Sequence, residues 1–441
     1  MTTNARYAED ASNQVTTVVV NIAQLCTVHQ PELESKGPRR RGDMSELGMV
    51  NDAVLALGGD RVVATGPRDE VLTLLFGGPD IPDIPDHITV VNAAGCAVIP
   101  GFVDPHTHTV FGKTRQDEYE RRIKGETYLE IAAAGGGIHS SVADTRTREE
   151  AELAALAVDR LQEMLSWGTT TVEIKSGYGL TLADEVKMLR AAKEAVAQTG
   201  IRAVLTCLAA HEIPSEFKDD RAAYVRLITE EILPLVARKK LAERCDVFCE
   251  PSVFTLEESV IILSRAKDLG LRLTIHADEL EAFGGAVLAT RLGADSADHL
   301  IRIDQAGRDA LRGSKTVAVM LPGTVFTLGL KGYAPAREMI DEGCAVALAS
   351  DFNPGSCPIL SIPLIMAISC TQMRLTPAES LVAATLNAAW ALGRQDEVGS
   401  LAPGKMADFV ILDSSDYRLV PYRAGHNPVA SVFLGGQKIN A

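Results

Sequence analysis

Short apolar runs alternate with longer amphipathic segments along the chain from residue 96 onward. The runs have the length of buried strands, and the segments between them have the length and periodicity of helices. The candidate strands cover residues 97–103, 170–174, 203–208, 246–249, 273–275, 296–298, 317–321 and 346–349, and helix candidates cover 148–167, 182–198, 222–239 and 256–269. Repeated strand–helix units predict an α/β fold, a (β/α)8 TIM-type barrel over residues 96–394.

The two ends of the chain have a different pattern, with short strands separated by Gly, Asp and Pro turn signals. These strands lie at residues 17–22 and 53–57 before the barrel, and at 408–412 and 430–434 after it. We therefore predict a small composite β-sandwich domain built from residues 1–95 and 395–441.

Polar residues follow five of the candidate barrel strands at the point where each strand ends. Barrel enzymes build their active sites from the carboxyl ends of the strands, so we expect these side chains to share one rim. His106 and His108 follow the first strand, His211 the third, His276 the fifth, His299 the sixth and Asp351 the eighth.

The His106-Thr107-His108 sequence suits a metal site, because side chains two residues apart on an extended backbone point the same way. His276 and Asp351 would complete a mixed imidazole and carboxylate set, which suits zinc or a similar divalent ion. A single histidine at a strand end is more often a hydrogen-bonded structural residue. That alternative stays open for His211 and for His299, each taken alone.

Composition and charge exclude several classes of protein. The chain has 441 residues, 46% of them hydrophobic, which is enough for a large barrel and a smaller domain. A formal charge of -15 argues against binding to nucleic acid or to an anionic membrane surface. The basic run 39–41 lies in a segment rich in Pro, Gly and Glu, 29–48, for which we predict a surface loop.

The start of the sequence and the cysteine pattern predict a cytoplasmic location. The first ten residues lack the apolar core of a signal peptide, and no segment has the length of a membrane span. The eight cysteines are scattered and form no Cys-x-x-Cys pair, so neither a disulfide framework nor a structural zinc site is expected.

The segment Pro100-Gly-Phe-Val-Asp-Pro-His-Thr-His108 resembles the first-strand signature of the amidohydrolase superfamily. A closer resemblance, to the imidazolonepropionase family, covers the chain from about residue 50. The segments that carry it are 110–115, 133–138, 172–180, 246–250, 296–300 and 351–356. The Glu-Ile-Lys-Ser-Gly-Tyr-Gly-Leu run at 173–180 and the Asp-x-Asn-Pro-Gly run at 351–355 are specific enough to distinguish this family from its deaminase relatives.

The resemblance implies hydrolysis of 4-imidazolone-5-propanoate to N-formimidoyl-L-glutamate in histidine degradation. Such a reaction needs an activated water, a polarised carbonyl and a proton for the departing nitrogen. Asp351 could accept the proton of the water, His299 could stabilise the oxyanion, and Glu279 could reach the ring nitrogens or carry the proton. An alternative for Glu279 is that it orients the ligand His276.

The substrate's propanoate tail needs a cationic or multidonor pocket. Arg115, in the loop after the first barrel strand, offers a planar fork that pairs with a carboxylate. By resemblance to the family, the pocket is completed by Tyr178, His211, Glu279, Asn353, Gly355 and Ser356. Gly135-Gly136-Gly137 lacks the Lys-Ser/Thr ending of a phosphate loop, so we predict a mobile loop at the barrel mouth.

The resemblance also implies one metal ion per subunit, held by His106, His108, His276 and Asp351. Two-metal members of the superfamily bridge their ions with a carboxylated lysine from strand 4, and here that strand ends in Phe-Cys-Glu at 248–250. Lys175 belongs to strand 2. Zinc is favoured, with iron as the alternative, and a homodimer is expected.

Two further interpretations remain open at this point. One is a deaminase that acts on a nitrogen heterocycle such as guanine or cytosine, and the other is a non-catalytic barrel that serves as a scaffold. Arg115 disfavours the deaminase, because a neutral base has no carboxylate tail, and the complete ligand set disfavours the scaffold. Glu212 and Ser350 depart from the usual pattern of the family, and Glu212 is the more promising cause of altered substrate tolerance.

Overall fold

The computed structural model describes residues 14–34, 36–81, 84–126, 130–131 and 134–439. The absence of a signal peptide, inferred from the first ten residues, and the start of the resembling segment at Ala133 lie outside these residues. Among the described residues, every helix is too short or too polar to cross a membrane.

In the described part of the chain, sixteen strands, numbered in chain order, fall into two sheets. Those before the barrel are β1 (Thr17–Cys26), β2 (Met49–Gly58), β3 (Arg61–Pro67), β4 (Thr89–Asn92) and β5 (Ala97–Pro100). Those of the barrel are β6 (Phe102–Asp104), β7 (Thr169–Lys175), β8 (Arg202–Ala210), β9 (Arg244–Cys249), β10 (Arg272–Ala277), β11 (Ser296–His299), β12 (Val317–Met320) and β13 (Val346–Leu348). The last are β14 (Phe409–Leu412), β15 (Val429–Leu434) and β16 (Gln437–Ile439).

Strands β6 to β13 are parallel, and each pairs with the next in chain order, which confirms the predicted barrel. Between β13 and β6 the contact is made just beyond the strand ends. There Thr107 pairs with Phe352, and the Asp351 backbone N–H donates to the His106 carbonyl at 3.1 Å. The last and first strands of the barrel therefore meet at the rim where the candidate metal ligands lie.

Helices cover the outside of the barrel and part of one face of the terminal sheet. They are α1 (Pro31–Glu34), α2 (Arg68–Phe76), α3 (Gln116–Ile123), α4 (Ile138–Thr147), α5 (Glu150–Ser166), α6 (Leu182–Thr199), α7 (Arg221–Arg226), α8 (Leu233–Arg238), α9 (Leu256–Asp268), α10 (Gly285–Leu292), α11 (Gln305–Leu311), α12 (Pro322–Leu328), α13 (Ala336–Glu342), α14 (Ile362–Met373), α15 (Pro377–Ala383), α16 (Leu386–Leu392) and α17 (Leu419–Tyr422). The helix predicted at 222–239 contains a π-helical turn, Leu227–Ile232, between α7 and α8.

Local sequence signals fix the helix ends. The Thr181 side chain accepts a hydrogen bond from the Asp184 backbone N–H at 3.1 Å and caps α6, which ends at Gly200 with a positive φ of 71°. Helix α9 begins with a complete capping box formed by Thr255 and Glu258. These caps satisfy backbone groups that would otherwise lack partners at the helix ends.

The second sheet is built from both chain ends, as the sequence predicts. Its strand order is β16-β15-β14-β5-β1-β2-β3, and β4 also pairs with β1. Strand β1 pairs with β4 through residues 17–20 and with β5 through Gln24 and Leu25. Side chains alternate between two apolar clusters, with Val19 and Leu55 in one and Val18 and Val54 in the other, as the two-residue period of a strand requires.

One predicted barrel strand is divided between the two sheets. The apolar run 97–103 forms β5, which pairs with β1 and β14 in the terminal sheet, and then β6, which begins the barrel. Gly101 lies between them, and its N–H donates to the Asp408 carbonyl at 3.0 Å. The prediction of one continuous strand was wrong because burial makes both halves equally apolar.

The segment 29–48 is also less exposed than predicted. Arg39 is buried, and its backbone N–H donates to Asn387 Oδ1 at 2.8 Å. The amide group of Asn387 in turn donates to the carbonyls of Arg39 and Val346, at the start of β13. The prediction of a surface loop is therefore wrong around Arg39, where the chain is pinned to the amino end of a barrel strand.

Gly101→Ala is expected to destabilise the protein, because an added Cβ would lie 2.2 Å from Thr170 Oγ1 and 2.8 Å from Thr170 Cβ. Overpacking of this kind costs about 1–3 kcal/mol. The check is a lowered urea midpoint of unfolding. Gly42→Ala is the control, because nothing lies within 4 Å of a Cβ at position 42. Equal midpoints for the two variants would contradict a close packing of β6 on β7 at this point.

Candidate active site and metal centre

Five histidines and one aspartate meet at the rim formed by the carboxyl ends of the barrel strands. One nitrogen each from His106, His108 and His276 lie within 4.8 Å of one another, and so do ligand atoms of His106, His299 and Asp351. Asp351 Oδ1 lies 3.6 Å from Nε2 of both His106 and His108. The structure thus brings together all four predicted ligands, with His299 next to them.

The donor atoms fit a metal ion. His106 Nε2 and His108 Nδ1 are buried and have no hydrogen-bond partner among the described residues, and the same holds for both ring nitrogens of His299. Burial lowers the pKa of each of these three imidazoles well below its usual value. Neutral imidazoles with unused nitrogens are the form in which histidine binds a metal.

Two buried aspartates hold the imidazoles of His106 and His276 in place. Asp298 Oδ2 lies 2.7 Å from His106 Nδ1, and Asp246 Oδ2 lies 2.9 Å from His276 Nδ1. Burial would lower the pKa of His276, but Asp246 raises it above its usual value. Carboxylates placed in this way fix the tautomer and orientation of metal-binding histidines.

Sequence analysis assigned no role to Asp246 and Asp298, although both lie in segments that carry the family resemblance. The available signal was a carboxylate inside a run of buried strand residues, where charge is rare unless it is paired. The sequence left open that Glu279 orients His276. In the structure, the carboxylate next to His276 Nδ1 is that of Asp246.

Asp351 is held by its neighbours in a strained conformation. Thr324 Oγ1 donates to Asp351 Oδ2, and burial raises the pKa of Asp351 to about 6. The backbone φ is 54° at Asp351 and 78° at His299, a region that residues other than glycine rarely occupy. Such strain costs on the order of 1–3 kcal/mol per residue and is concentrated at functional sites.

Glu279 lies beside His299, with Oε1 3.5 Å from His299 Nδ1. Burial, and then the charge of Asp351, raise the pKa of Glu279 to about 8. Its backbone is held by Glu250, which accepts the N–H of Glu279 at 2.7 Å and that of Leu280 at 3.0 Å. Glu279 is therefore a fixed carboxyl group that is easily protonated near neutral pH.

Arg115 lies in the loop after β6 and is already paired. Its guanidinium donates to Glu118 Oε2 from Nε at 2.9 Å and from Nη2 at 2.5 Å. Glu118 Oε1 also accepts the Gly137 N–H at 3.1 Å, which joins Arg115 to the Gly-rich segment. Arg115 Nη1 packs so closely on Gly355 that a Cβ at position 355 would lie 2.1 Å from it. Gly355 thus makes room for Arg115.

The loop after β13 is a tight turn built by Asn353. Asn353 Oδ1 accepts the N–H of Gly355 at 2.8 Å and of Ser356 at 2.7 Å, and its Nδ2 donates to the Asp351 carbonyl at 2.7 Å. Asn353 therefore shapes the turn that follows Asp351, because both ends of its amide group are used by the backbone.

Tyr178 and His211 lie against His108. His211 stacks on His108 with ring centroids 4.9 Å apart, and its Nδ1 lies 3.0 Å from the Gly177 carbonyl. Tyr178 is buried with its ring centroid 5.9 Å from that of His108. Glu212 lies next in the chain, where its Oε1 accepts the N–H of Ile213.

The chain resembles known proteins over most of its length. Residues 97–439 match the model of the amidohydrolase family, and the chain belongs to that family. The imidazolonepropionase of Symbiobacterium thermophilum is 48% identical over 404 residues, which are 91% of this chain and 93% of the relative. That of Solibacter usitatus is 46% identical over 419 residues, 95% of this chain and 97% of the relative. Within the amidohydrolases, the chain is a member of the imidazolonepropionase family.

Solved structures share the fold at low sequence identity. A triazine hydrolase variant superposes with a TM-score of 0.71 at 18% identity, over 96% of this chain and 94% of the other. The guanine deaminase of E. coli gives a TM-score of 0.66 at 17% identity, over 96% of this chain and 99% of the other. The architecture is therefore common to enzymes of different substrates, and the site residues must decide between them.

Proposed function

We propose that this chain hydrolyses the ring amide of 4-imidazolone-5-propanoate to N-formimidoyl-L-glutamate, a step of histidine degradation. The observation that carries the proposal is the meeting of the imidazoles of His106, His108 and His299 with Asp351 and Glu279 at one rim. The mostly buried side chain of Arg115 packs against Gly355, in the turn that follows Asp351. Membership of the imidazolonepropionase family supports the choice of substrate.

His106, His108, His276 and Asp351 would hold one metal ion, for which we propose zinc because three imidazoles and a carboxylate suit it. When bound, such an ion lowers the pKa of a water towards neutrality and polarises a carbonyl. A single ion is supported by Lys175, whose Nζ lies 2.6 Å from Glu173 Oε2 and 2.8 Å from Asp246 Oδ2. An ammonium group held between carboxylates does not have the free amine that carboxylation requires.

The chain's own residues supply the proton transfers of the proposed reaction. Asp351 is placed to accept a proton from the attacking water as the new carbon–oxygen bond forms. His299, neutral and without a hydrogen bond among the described residues, can donate a hydrogen bond to the oxyanion. Glu279, protonated near neutral pH, can give its proton to the ring nitrogen as the carbon–nitrogen bond breaks.

Arg115 is proposed to bind the propanoate tail. Its Nη1 is the group that faces Gly355, beside the Asn353 turn, while Glu118 holds Nε and Nη2. Tyr178, His211, Asn353, Gly355 and Ser356 are proposed to complete the pocket. A tail anchor of this kind favours an acidic substrate over a neutral base, which is the observation that disfavours the deaminase alternative.

The cytoplasmic location and the homodimer remain proposals. The location is supported by the cysteines, because all eight are free thiols, as is usual in a reducing compartment. We likewise propose two domains with the bounds expected from the sequence, residues 1–95 with 395–441 and residues 96–394, except that β5 joins the first because it pairs with β1 and β14. The scaffold alternative is disfavoured because the ligand set is intact, and because His106 Nε2 and His108 Nδ1 have no hydrogen-bond partner among the described residues.

One equivalent of metal per chain is expected in purified, zinc-loaded protein, measured by elemental analysis. His106→Ala should lower the metal affinity by more than about 100-fold, since even the loss of a group that only orients a ligand costs 10- to 100-fold. His87→Ala is the control, because that histidine is exposed. Two equivalents in the unaltered protein would contradict a single ion.

Loss of imidazolone absorbance, followed in metal-replete protein, should be rapid for the unaltered chain. Asp351→Ala should reduce its rate by at least about 10²- to 10⁴-fold, because the variant removes both a ligand and the proposed proton acceptor. Asp413→Ala, whose partner His426 is at the surface, is the control. Ammonia released from guanine or cytosine, without consumption of the imidazolone, would favour the deaminase instead.

Arg115→Ala should raise KM far more than it lowers kcat, because it removes a mostly buried partner of the substrate carboxylate. A loss of about 2–5 kcal/mol corresponds to about 30-fold or more in binding. The matched control is Arg121→Ala, which breaks a similar pair with Glu126 at a more exposed position near Arg115. An unchanged KM in Arg115→Ala would contradict the proposal that Arg115 binds the propanoate tail.

A further inference from the structure

A group of five charged side chains lies inside the barrel next to the histidines, and we name it the buried charge cluster. It consists of Glu173, Lys175, Arg244, Asp246 and Asp298. None of the five side chains is exposed to solvent, and they come from β7, β9 and β11. The cluster contains two cations and three carboxylates. Each carboxylate has at least one of the cations within 4 Å.

Lys175 is the member that touches all three carboxylates. Its Nζ lies 2.6 Å from Glu173 Oε2, 2.8 Å from Asp246 Oδ2 and 3.8 Å from Asp298 Oδ2. Burial alone would lower the pKa of the Lys175 ammonium, but Asp246 and Glu173 hold that pKa above its usual value. Lys175 is therefore a fixed positive charge, and the proposed reaction makes no direct use of it.

The two aspartate oxygens nearest to Lys175 also hold imidazoles of the proposed metal centre. Asp298 Oδ2 lies 2.7 Å from His106 Nδ1, and Asp246 Oδ2 lies 2.9 Å from His276 Nδ1. A second oxygen, Asp246 Oδ1, accepts the backbone N–H of His276 at 3.2 Å. One ammonium nitrogen is thus connected through two carboxylate oxygens to two histidines, His106 after β6 and His276 in β10.

We propose that Lys175 is a positioning residue of the metal centre, which fixes the carboxylates of Asp246 and Asp298 and so aims the Nε2 atoms of His276 and His106 at the ion. The inference rests on the metal centre of the proposed function. A carboxylate buried without a cation is strongly disfavoured, so both aspartates would move or rearrange if the ammonium were lost. Groups that orient metal-binding histidines affect metal affinity by 10- to 100-fold, and Lys175 acts on two of them.

Arg244 provides a matched control inside the same cluster. It is as buried as Lys175, and its Nη1 lies 3.2 Å from Glu173 Oε1. In the described part of the chain, no hydrogen bond or ion pair joins Arg244 to Asp246 or Asp298, and its other close contacts are with Ser296 and Asp295. Loss of Arg244 therefore removes a buried charge without removing the group between the two aspartates.

The test uses full-length protein loaded with Co²⁺, whose visible absorption reports the geometry of its ligands. Lys175→Met and Arg244→Met are compared with the unaltered chain in the visible spectrum, in the rate of Co²⁺ release to excess EDTA, and in the urea midpoint of unfolding. Lys175→Met is expected to release Co²⁺ about 10- to 100-fold faster and to change the spectrum. Arg244→Met is expected to keep both the release rate and the spectrum, even where its urea midpoint falls.

Equal release rates for Lys175→Met and the unaltered chain, or equal acceleration in the two variants, would overturn the positioning role. Failure of the unaltered chain to take up Co²⁺ would overturn the metal centre itself, and the role of Lys175 with it. If Lys175→Met does not fold, Lys175→Arg keeps the charge but replaces a compact ammonium with a planar group. Faster Co²⁺ release is expected there too, and an unchanged rate and spectrum would overturn the proposal.

Discussion

The carboxyl ends of parallel strands in a closed barrel must lie at the same rim, and the rest of the site depends on this constraint. His106, His276 and Asp351 are far apart in the sequence, yet each follows or ends a strand of the barrel. The pairing of Thr107 with Phe352 brings the first and last strands together at that rim. The ligand set is therefore a product of the fold.

The fold also buries ionisable side chains at this rim, where charged groups are unfavourable unless they are paired. His106 and His108, buried at the rim, become neutral, as metal binding requires, because burial disfavours their charged form. Asp246 and Asp298, which contact His276 and His106, stay close to Lys175, because an unpaired buried charge is costly. The positive φ angles of His299 and Asp351 indicate that the surrounding packing holds these side chains in conformations that the free chain would avoid.

Much of this architecture could be predicted from the sequence, because a buried parallel strand is a short apolar run and a histidine at its end is easy to recognise. The eight barrel strands and the grouping of His106, His108, His276 and Asp351 agree with the structure. Gly101 shows one limit. Hydrophobic pattern records burial but not the sheet to which a strand belongs, so β5 and β6 were taken as one strand.

The partners of the site residues were harder to find. Sequence spacing does not link Asp246 to His276 or Asp298 to His106, because each contact joins different strands. The first joins β9 to β10, and the second joins β11 to the segment after β6. Glu118 follows Arg115 by three residues, but only the structure shows that the pair also holds the Gly137 N–H. The burial of Arg39 depends in the same way on Asn387, which lies at the other end of the chain.

The position of β5 in the terminal sheet has a consequence for how the protein is made. Its two edges are covered by β1, from the start of the chain, and by β14, from the end. A ribosome delivers β14 only after the whole barrel has been synthesised, so the nascent sheet keeps an open, apolar edge throughout translation. Open edges of this kind recruit other strands. The newborn chain is therefore exposed to aggregation until β14 emerges.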